Sequence, residues 1–210
     1  MNGTQLIEGK NDFIKNKVNQ IRECQMVESI DVTSTKKDGR NFYNTSDFIF
    51  MEILDKNYSD IKNELAKILV ENPYIFQPWI EKELYEESNP FGWDIAPIMI
   101  NKEFVDENCK IAPFLFSIVS KIPNIVSCSY SLLKPGTRIC PHKGYDIYSE
   151  KNLRYHLGLI IPKGDLGLRV CEDIVEWTEG SSFVFDDFKI HEAWNFSDEN
   201  RYVLICDFEI

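Results

Sequence analysis

The sequence has no run of about 18 apolar residues, so it offers no membrane-spanning helix. Basic residues are in deficit: 23 Lys and Arg against 34 Asp and Glu leave a net charge of −11. A surface of that sign repels phosphate backbones and anionic lipid, so neither nucleic acid nor a membrane is expected as a partner. The six cysteines form no CxxC pair, which argues against a zinc ribbon or a disulfide scaffold and for reduced thiols in a cytoplasmic protein. The first residues, MNGTQLIEGKNDFIK, lack the basic, apolar and small-residue order of a signal peptide. Histidine is scarcest of all, with three in the chain.

What is present suits one domain: 210 residues, 43% of them hydrophobic, can fill a real core. Residues 1–124 read as a helical and irregular part, and residues 125–210 as a β core. Ile14, Val18 and Ile21 recur at helical spacing after Asn11-Asp12, which can cap the turn. Ile61, Leu65, Ile68 and Leu69 repeat the pattern up to Asn72-Pro73. A further helix starts at Pro113, with Leu115, Val119 and Ile122 on one face. Thr33 to Arg40 reads as a loop, and Trp79 to Trp93, rich in aromatics, acids, Pro and Gly, as an irregular wall.

From Ile125 the period becomes two. Ser127–Leu133, Leu153–Ile161, Leu166–Val170, Ser182–Asp187 and Arg201–Phe208 read as strands separated by turn residues. Several short strands with no intervening helix predict a mainly β barrel or jelly roll, with the N-terminal helices packed on one outer face.

The strand alternation also places polar groups. Arg154, His156, Gly158 and Ile160 share one face of their strand, opposite Tyr155, Leu157, Leu159 and Ile161. Arg201 shares a face with Val203, Ile205 and, at the far end, Asp207. An inward guanidinium needs an anion, because an unpaired buried charge costs several kcal/mol or more. That anion is either an Asp or Glu of this acidic chain or a ligand held in the barrel. All three histidines, His142, His156 and His191, fall within the last 69 residues, and imidazoles at strand ends of a small barrel can converge on a metal.

Together the blocks SLLKPGTRICPHKGY (131–145), LRYHLGLIIP (153–162), Trp177 with Glu179-Gly180, FDDFKIHEAWN (185–195) and Arg201 resemble the aspartyl/asparaginyl β-hydroxylase family. The resemblance runs over about residues 91–210, with GWDIAPI at its front edge. It implies an oxygenase that uses Fe(II), 2-oxoglutarate and O2 on a double-stranded β-helix, a jelly-roll or cupin-like form. It assigns His142 and His191 as iron ligands, and Arg201 and Ser131 to the distal carboxylate of 2-oxoglutarate. Arg154 and His156 would complete the co-substrate pocket.

The position two residues after the first histidine, which carries a carboxylate in most non-haem iron oxygenases, is Gly144 in this chain, as the family tolerates. Asp187 is then the candidate to hold a metal-bound water; its other reading is a cap on the turn into His191. Asp146 is a carboxylate at the wrong spacing. The implied reaction hydroxylates an unactivated C–H of an amino acid, or of an Asp or Asn residue in a peptide or protein, releasing succinate and CO2.

Arg138, Lys143 and Arg169 either bind a substrate carboxylate or are solvated strand-edge charges. Three rival readings stand beside this one. They are a non-catalytic module binding a small acid, a three-histidine site of cupin type, and a halogenase exploiting the gap at Gly144.

Overall fold

A computed structural model describes residues 37–86, 91–144 and 151–210. The helix expected around Ile14, Val18 and Ile21, the first half of the Thr33–Arg40 loop, and Asp146 lie outside the described residues.

The strands, in chain order, are β1 (Phe42–Tyr43), β2 (Gln77–Pro78), β3 (Trp93–Ile100), β4 (Glu103–Phe104), β5 (Ile125–Leu133) and β6 (Thr137–His142). After them come β7 (Asn152–Ile160), β8 (Leu166–Val170), β9 (Asp173–Val175), β10 (Ser182–Phe185), β11 (His191–Asn195) and β12 (Arg201–Glu209). The α-helices are α1 (Glu52–Lys56), α2 (Tyr58–Glu71), α3 (Asp106–Ile111) and α4 (Pro113–Val119). Two antiparallel sheets face one another. The larger runs β1-β10-β7-β12-β5-β3-β2 with β4 beside β3, and the smaller runs β6-β11-β8-β9. This interleaving of sequence-distant strands is the double-stranded β-helix, mainly β with helices on one outer face.

Two apolar cores hold the layers. One lies between the large sheet and the helices. There α2 contributes Ile61, Leu65 and Ile68, α4 contributes Leu115 and Val119, and the sheet contributes Tyr155, Leu157, Leu159, Leu204 and Phe208. The other lies between the sheets, where Leu133, Leu168, Phe185, Ala193 and Val203 meet. The helix α2 stops where Asn72 donates its N–H to Ile68 and Pro73 opens a 3₁₀ turn. Its Glu64 carboxylate accepts the N–H groups of Phe114 and Leu115 at 2.7 and 3.0 Å. That contact caps α4 with a charge of the favourable sign for a helix start.

The fold departs from the sequence reading at several points. Residues 1–124 are not helical and irregular throughout: β1 to β4 lie within them, and β3 pairs with β5 from Trp93↔Leu133 to Met99↔Cys128. The sequence hides β3 because it is buried on both faces, which erases alternation. It also contains Pro97, tolerated beside a bulge at the end of its pairing with β5.

The face assignment of β7 holds to Gly158 and then slips. Tyr202 pairs with Ile160 but Val203 with Gly158, so Leu159 is an extra residue. Ile160 therefore packs toward the helices and Ile161 toward the inter-sheet core. The strand expected over Ser182–Asp187 ends at Phe185, leaving Asp186 and Asp187 in the turn before β11.

Candidate active site

The two sheets converge on a cavity of about 360 Å³, part of it open to solvent. Its wall includes Trp93, Ser131, His142, Arg154, His156, Phe185, His191 and Arg201. The imidazoles come from the small sheet: His142 ends β6, His191 begins β11, and the two are direct cross-strand partners. Their ring centroids lie 4.2 Å apart, tilted by 53°. Each Nδ1 faces a backbone carbonyl two residues earlier, Cys140 O at 2.8 Å and Lys189 O at 2.9 Å. A carbonyl only accepts, so Nδ1 carries the proton in both rings and Nε2 is left with its lone pair. Burial pushes both imidazoles below their ordinary range, most strongly His191, where His142 adds to the effect. Two neutral rings with bare Nε2 atoms side by side are what a divalent metal of imidazole preference takes.

The charged half comes from the large sheet. Arg201 at the start of β12 is 2% exposed, and among the described residues no carboxylate pairs with it. Its Nε is buried without a hydrogen-bond partner, and its NH2 group reaches only the Ser131 hydroxyl at 3.5 Å. Burial pulls this guanidinium down to about 9. The reading in which an acidic residue of the chain neutralises Arg201 therefore fails among the described residues.

For Arg154 that reading holds. Asp207, its cross-strand partner on β12, receives Nε at 2.6 Å and NH2 at 3.1 Å, and NH2 also lies 3.2 Å from Asp187 Oδ2. Ser131 accepts the Trp93 indole N–H at 2.9 Å. That occupies a lone pair and turns the hydroxyl proton elsewhere.

His156 is buried, and its Nδ1 faces the indole N–H of Trp177 at 3.2 Å. An indole only donates, so Nδ1 accepts and Nε2 carries the proton, buried with no partner. Burial, with the nearby Arg201 and Arg154 charges, holds this ring neutral. His156 does not join the other two: among the described residues no group of three His, Cys, Asp or Glu side chains could hold a metal ion. The three-histidine reading is thereby set aside.

Asp187 sits in the turn behind His191, 1% exposed. Its carbonyl accepts the Gly144 N–H at 2.6 Å, and its Oδ1 is buried without a partner. Desolvation raises its pKa to about 6, partly offset by Arg154. The structure thus brings His142, His191, Asp187, Ser131, Arg154, His156 and Arg201 into one region.

It does not bring Arg138 and Arg169 there as free cations. Both bind the buried Glu192 on β11, at 2.6 and 2.5 Å, and Arg138 also reaches Glu86 at 3.1 Å. Lys143 remains exposed. Sequence reasoning gave no role to Trp93, Trp177, Phe185 or Asp207. Of these, Asp207 was visible as the acid at the far end of the Arg201 face, and Trp93, Trp177 and Phe185 lie in the blocks that carry the family resemblance.

Comparison with known proteins points to one family. The sequence profile of the aspartyl/asparaginyl beta-hydroxylase family matches residues 55–210. An ornithine lipid ester-linked acyl 2-hydroxylase of Rhizobium tropici is 32% identical over 86% of this chain and 64% of its own length. The aspartyl/asparaginyl beta-hydroxylase of Homo sapiens is 30% identical over 73% of this chain and 20% of its own length. The chain therefore spans less than two thirds of the first relative and a fifth of the second. A prolyl-4-hydroxylase structure from Pseudomonas putida superimposes with a TM-score of 0.49 at 15% identity, over 81% of this chain and 93% of that one. The profile covers every strand that contributes to the cavity, and the chain belongs to the aspartyl/asparaginyl beta-hydroxylase family of enzymes.

Proposed function

We propose that the protein is an Fe(II)- and 2-oxoglutarate-dependent hydroxylase. It would insert one oxygen into an unactivated C–H of an amino acid, or of an Asp or Asn residue in a peptide or protein. The observation that carries this is Arg201, a buried guanidinium with no carboxylate partner among the described residues, in the same cavity as two imidazoles with bare Nε2 atoms. A dicarboxylate that neutralises the first and shares a metal with the second fits both requirements.

His142 and His191 would hold the metal through Nε2, fixed in that tautomer by their own backbone. Arg201 offers a planar fork that matches one carboxylate, with the Ser131 hydroxyl beside it. His156 offers its Nε2–H to the other end of the co-substrate. Arg154, held by Asp207, orients Asp187, whose free Oδ1 would anchor a water where Gly144 leaves no side chain. When bound, Fe(II), 2-oxoglutarate and O2 supply the oxidation, with succinate and CO2 leaving and one oxygen atom going to the substrate. The chain itself contributes a small cavity between the sheets that holds these groups within reach of one another.

A second substrate class has one observation in its favour. Glu192 and Glu86 together offset the charges of Arg138 and Arg169, which makes these two a weaker docking point for a substrate carboxylate. Ile190, next to His191, is exposed at 47%. An exposed apolar side chain there suits an apolar substrate, and the Rhizobium relative is named for acting on an acyl group.

Anaerobic loading with Fe(II) and 2-oxoglutarate, then oxygen exposure against amino acids, Asp- and Asn-containing peptides and acyl esters, separates the two. A one-oxygen mass gain names the substrate class. No succinate from any arm, together with no Fe(II) binding, would leave a non-catalytic acid-binding module.

A further inference from the structure

Two buried donors in the cavity have no acceptor of their own, Arg201 Nε and His156 Nε2. Both rest on the same residue. Trp177, 4% exposed between β9 and β10, donates its indole N–H to His156 Nδ1 at 3.2 Å, with the two ring planes only 17° apart. That near-coplanar approach aims the N–H along the imidazole lone pair. The face of the same indole lies 4.6 Å from the Arg201 guanidinium carbon. Trp177 does not appear in the cavity wall; it stands behind it.

We infer that Trp177 is the positioning residue of the co-substrate pocket. Its N–H locks His156 into the tautomer that presents Nε2–H to the cavity, while its ring face holds Arg201 without neutralising it.

The physical case rests on what any other neighbour would do. A carboxylate behind Arg201 would satisfy the guanidinium and remove its need for a ligand anion. A carbonyl or carboxylate behind His156 would draw the proton to Nδ1, leaving a lone pair on Nε2 that repels a carboxylate. An indole has a donor and a π face but no acceptor of consequence, so it supports an imidazole and a cation together while leaving both in need of an anion. Since no ring flip of His156 is compatible with the Trp177 hydrogen bond unless an acceptor nitrogen faces it, one tryptophan fixes one proton. This inference rests on the 2-oxoglutarate reading for the identity of the anion, but the tautomer it sets does not.

The test has two arms. The first is long-range ¹H–¹⁵N NMR of the ¹⁵N-histidine-labelled protein without co-substrate. His156 is expected as the neutral Nε2–H form in the wild type and as a mixture in Trp177→Phe, which keeps a ring but loses the donor. The second is calorimetric binding of 2-oxoglutarate to the Fe(II)-loaded protein without oxygen. Kd is expected to rise about ten-fold in Trp177→Phe and further in Trp177→Leu, in the range that losing an outer partner of a site residue gives.

A wild-type His156 protonated on Nδ1 overturns the inference without recourse to any variant. So does a Trp177→Phe protein that binds 2-oxoglutarate as tightly as the wild type. A wild type with the expected tautomer that binds no 2-oxoglutarate overturns the co-substrate reading instead, and with it the part Trp177 plays in holding that anion.

Discussion

Gly144 and Asp187 compete for one space. A Cβ on Gly144 would lie 2.3 Å from Asp187 Oδ2, while the Gly144 N–H already donates to the Asp187 carbonyl at 2.6 Å. A carboxylate two residues after His142 and the carboxylate at 187 are therefore mutually exclusive in this fold. Restoring the common ligand pattern with Gly144→Asp is expected to weaken Fe(II) binding about ten-fold or more, because the new side chain displaces Asp187 from Arg154. The double variant Gly144→Asp/Asp187→Gly frees that space and is expected to recover most of the affinity. Metal titration of both proteins checks this, and a single variant that binds more tightly than the wild type would refute it.

Arg201 is expected to destabilise the ligand-free protein. Burial holds its guanidinium down to about 9, below its ordinary value near 12.5. The unfolded chain therefore keeps the proton more readily than the fold does. The cost is fully present below pH 9 and shrinks as pH rises from there toward the unfolded value. Replacing Arg201 by Leu should raise the melting temperature of the ligand-free protein by on the order of 5 °C at pH 7, as removal of an uncompensated buried charge does. The same change should abolish the stabilisation that 2-oxoglutarate gives the wild type. Thermal melts with and without 2-oxoglutarate read both effects. A lower melting temperature in the ligand-free variant would show that Arg201 has an anionic partner after all.

How legible such features were in the sequence depended on what each residue met. Arg154, His156 and Arg201 could be placed on one side of their strands because β7 and β12 separate two different environments, helices on one face and the cavity on the other. The same rule failed on β3, which is buried on both faces and so shows no alternation, and on Ile160, where one extra residue in β7 reverses the sides. The presence and the end of helix α2 were readable because Ile61, Leu65 and Ile68 face one core and Asn72-Pro73 cannot continue it. The β11 strand, HEAWN, was missed because its buried Glu192 and Asn195 look like loop residues until their partners are known: Arg138 and Arg169 for one, the Leu133 carbonyl for the other. The contact of Trp177 with His156 and Arg201 joins three elements, and no local pattern encodes it.

The ion-paired trio on the small sheet should act on stability alone. Glu192 is directly opposite Arg169 on β8, and its neighbour Ala193 pairs with Ile139 of β6, so one buried carboxylate ties β6, β11 and β8 together. Arg138 and Arg169 are each partly exposed, which limits what either pair contributes. Arg138→Ala and Arg169→Ala are each expected to cost about 1 kcal/mol in denaturant unfolding, with KM for substrate unchanged. Glu192→Ala, which leaves two cations facing each other across β11, should cost more than either. A rise in KM with no change in stability in either arginine variant would return that residue to the substrate site.

Asp187 gives the protein a pH limit. Desolvation raises its carboxyl to about 6, against an ordinary value near 3.8. Its protonated form is thus favoured in the fold, and the stability this brings is fully present below the unfolded value and lost as pH climbs through 6. Function runs the other way, because only the ionised carboxylate can accept hydrogen bonds with both oxygens from Arg154 and a metal-bound water. Burial lowers the imidazoles of His142 and His191 as well, away from their ordinary range. Succinate formation is therefore expected to fall below about pH 6. Asp187→Asn, which keeps the shape and one acceptor but cannot titrate, should turn over several-fold more slowly at pH 7.5 with that acid limb flattened. The pH–rate profiles of the two proteins decide it: a limb that stays in place in the variant would belong to another group, and Asp187 would then be no more than a cap on the turn into His191.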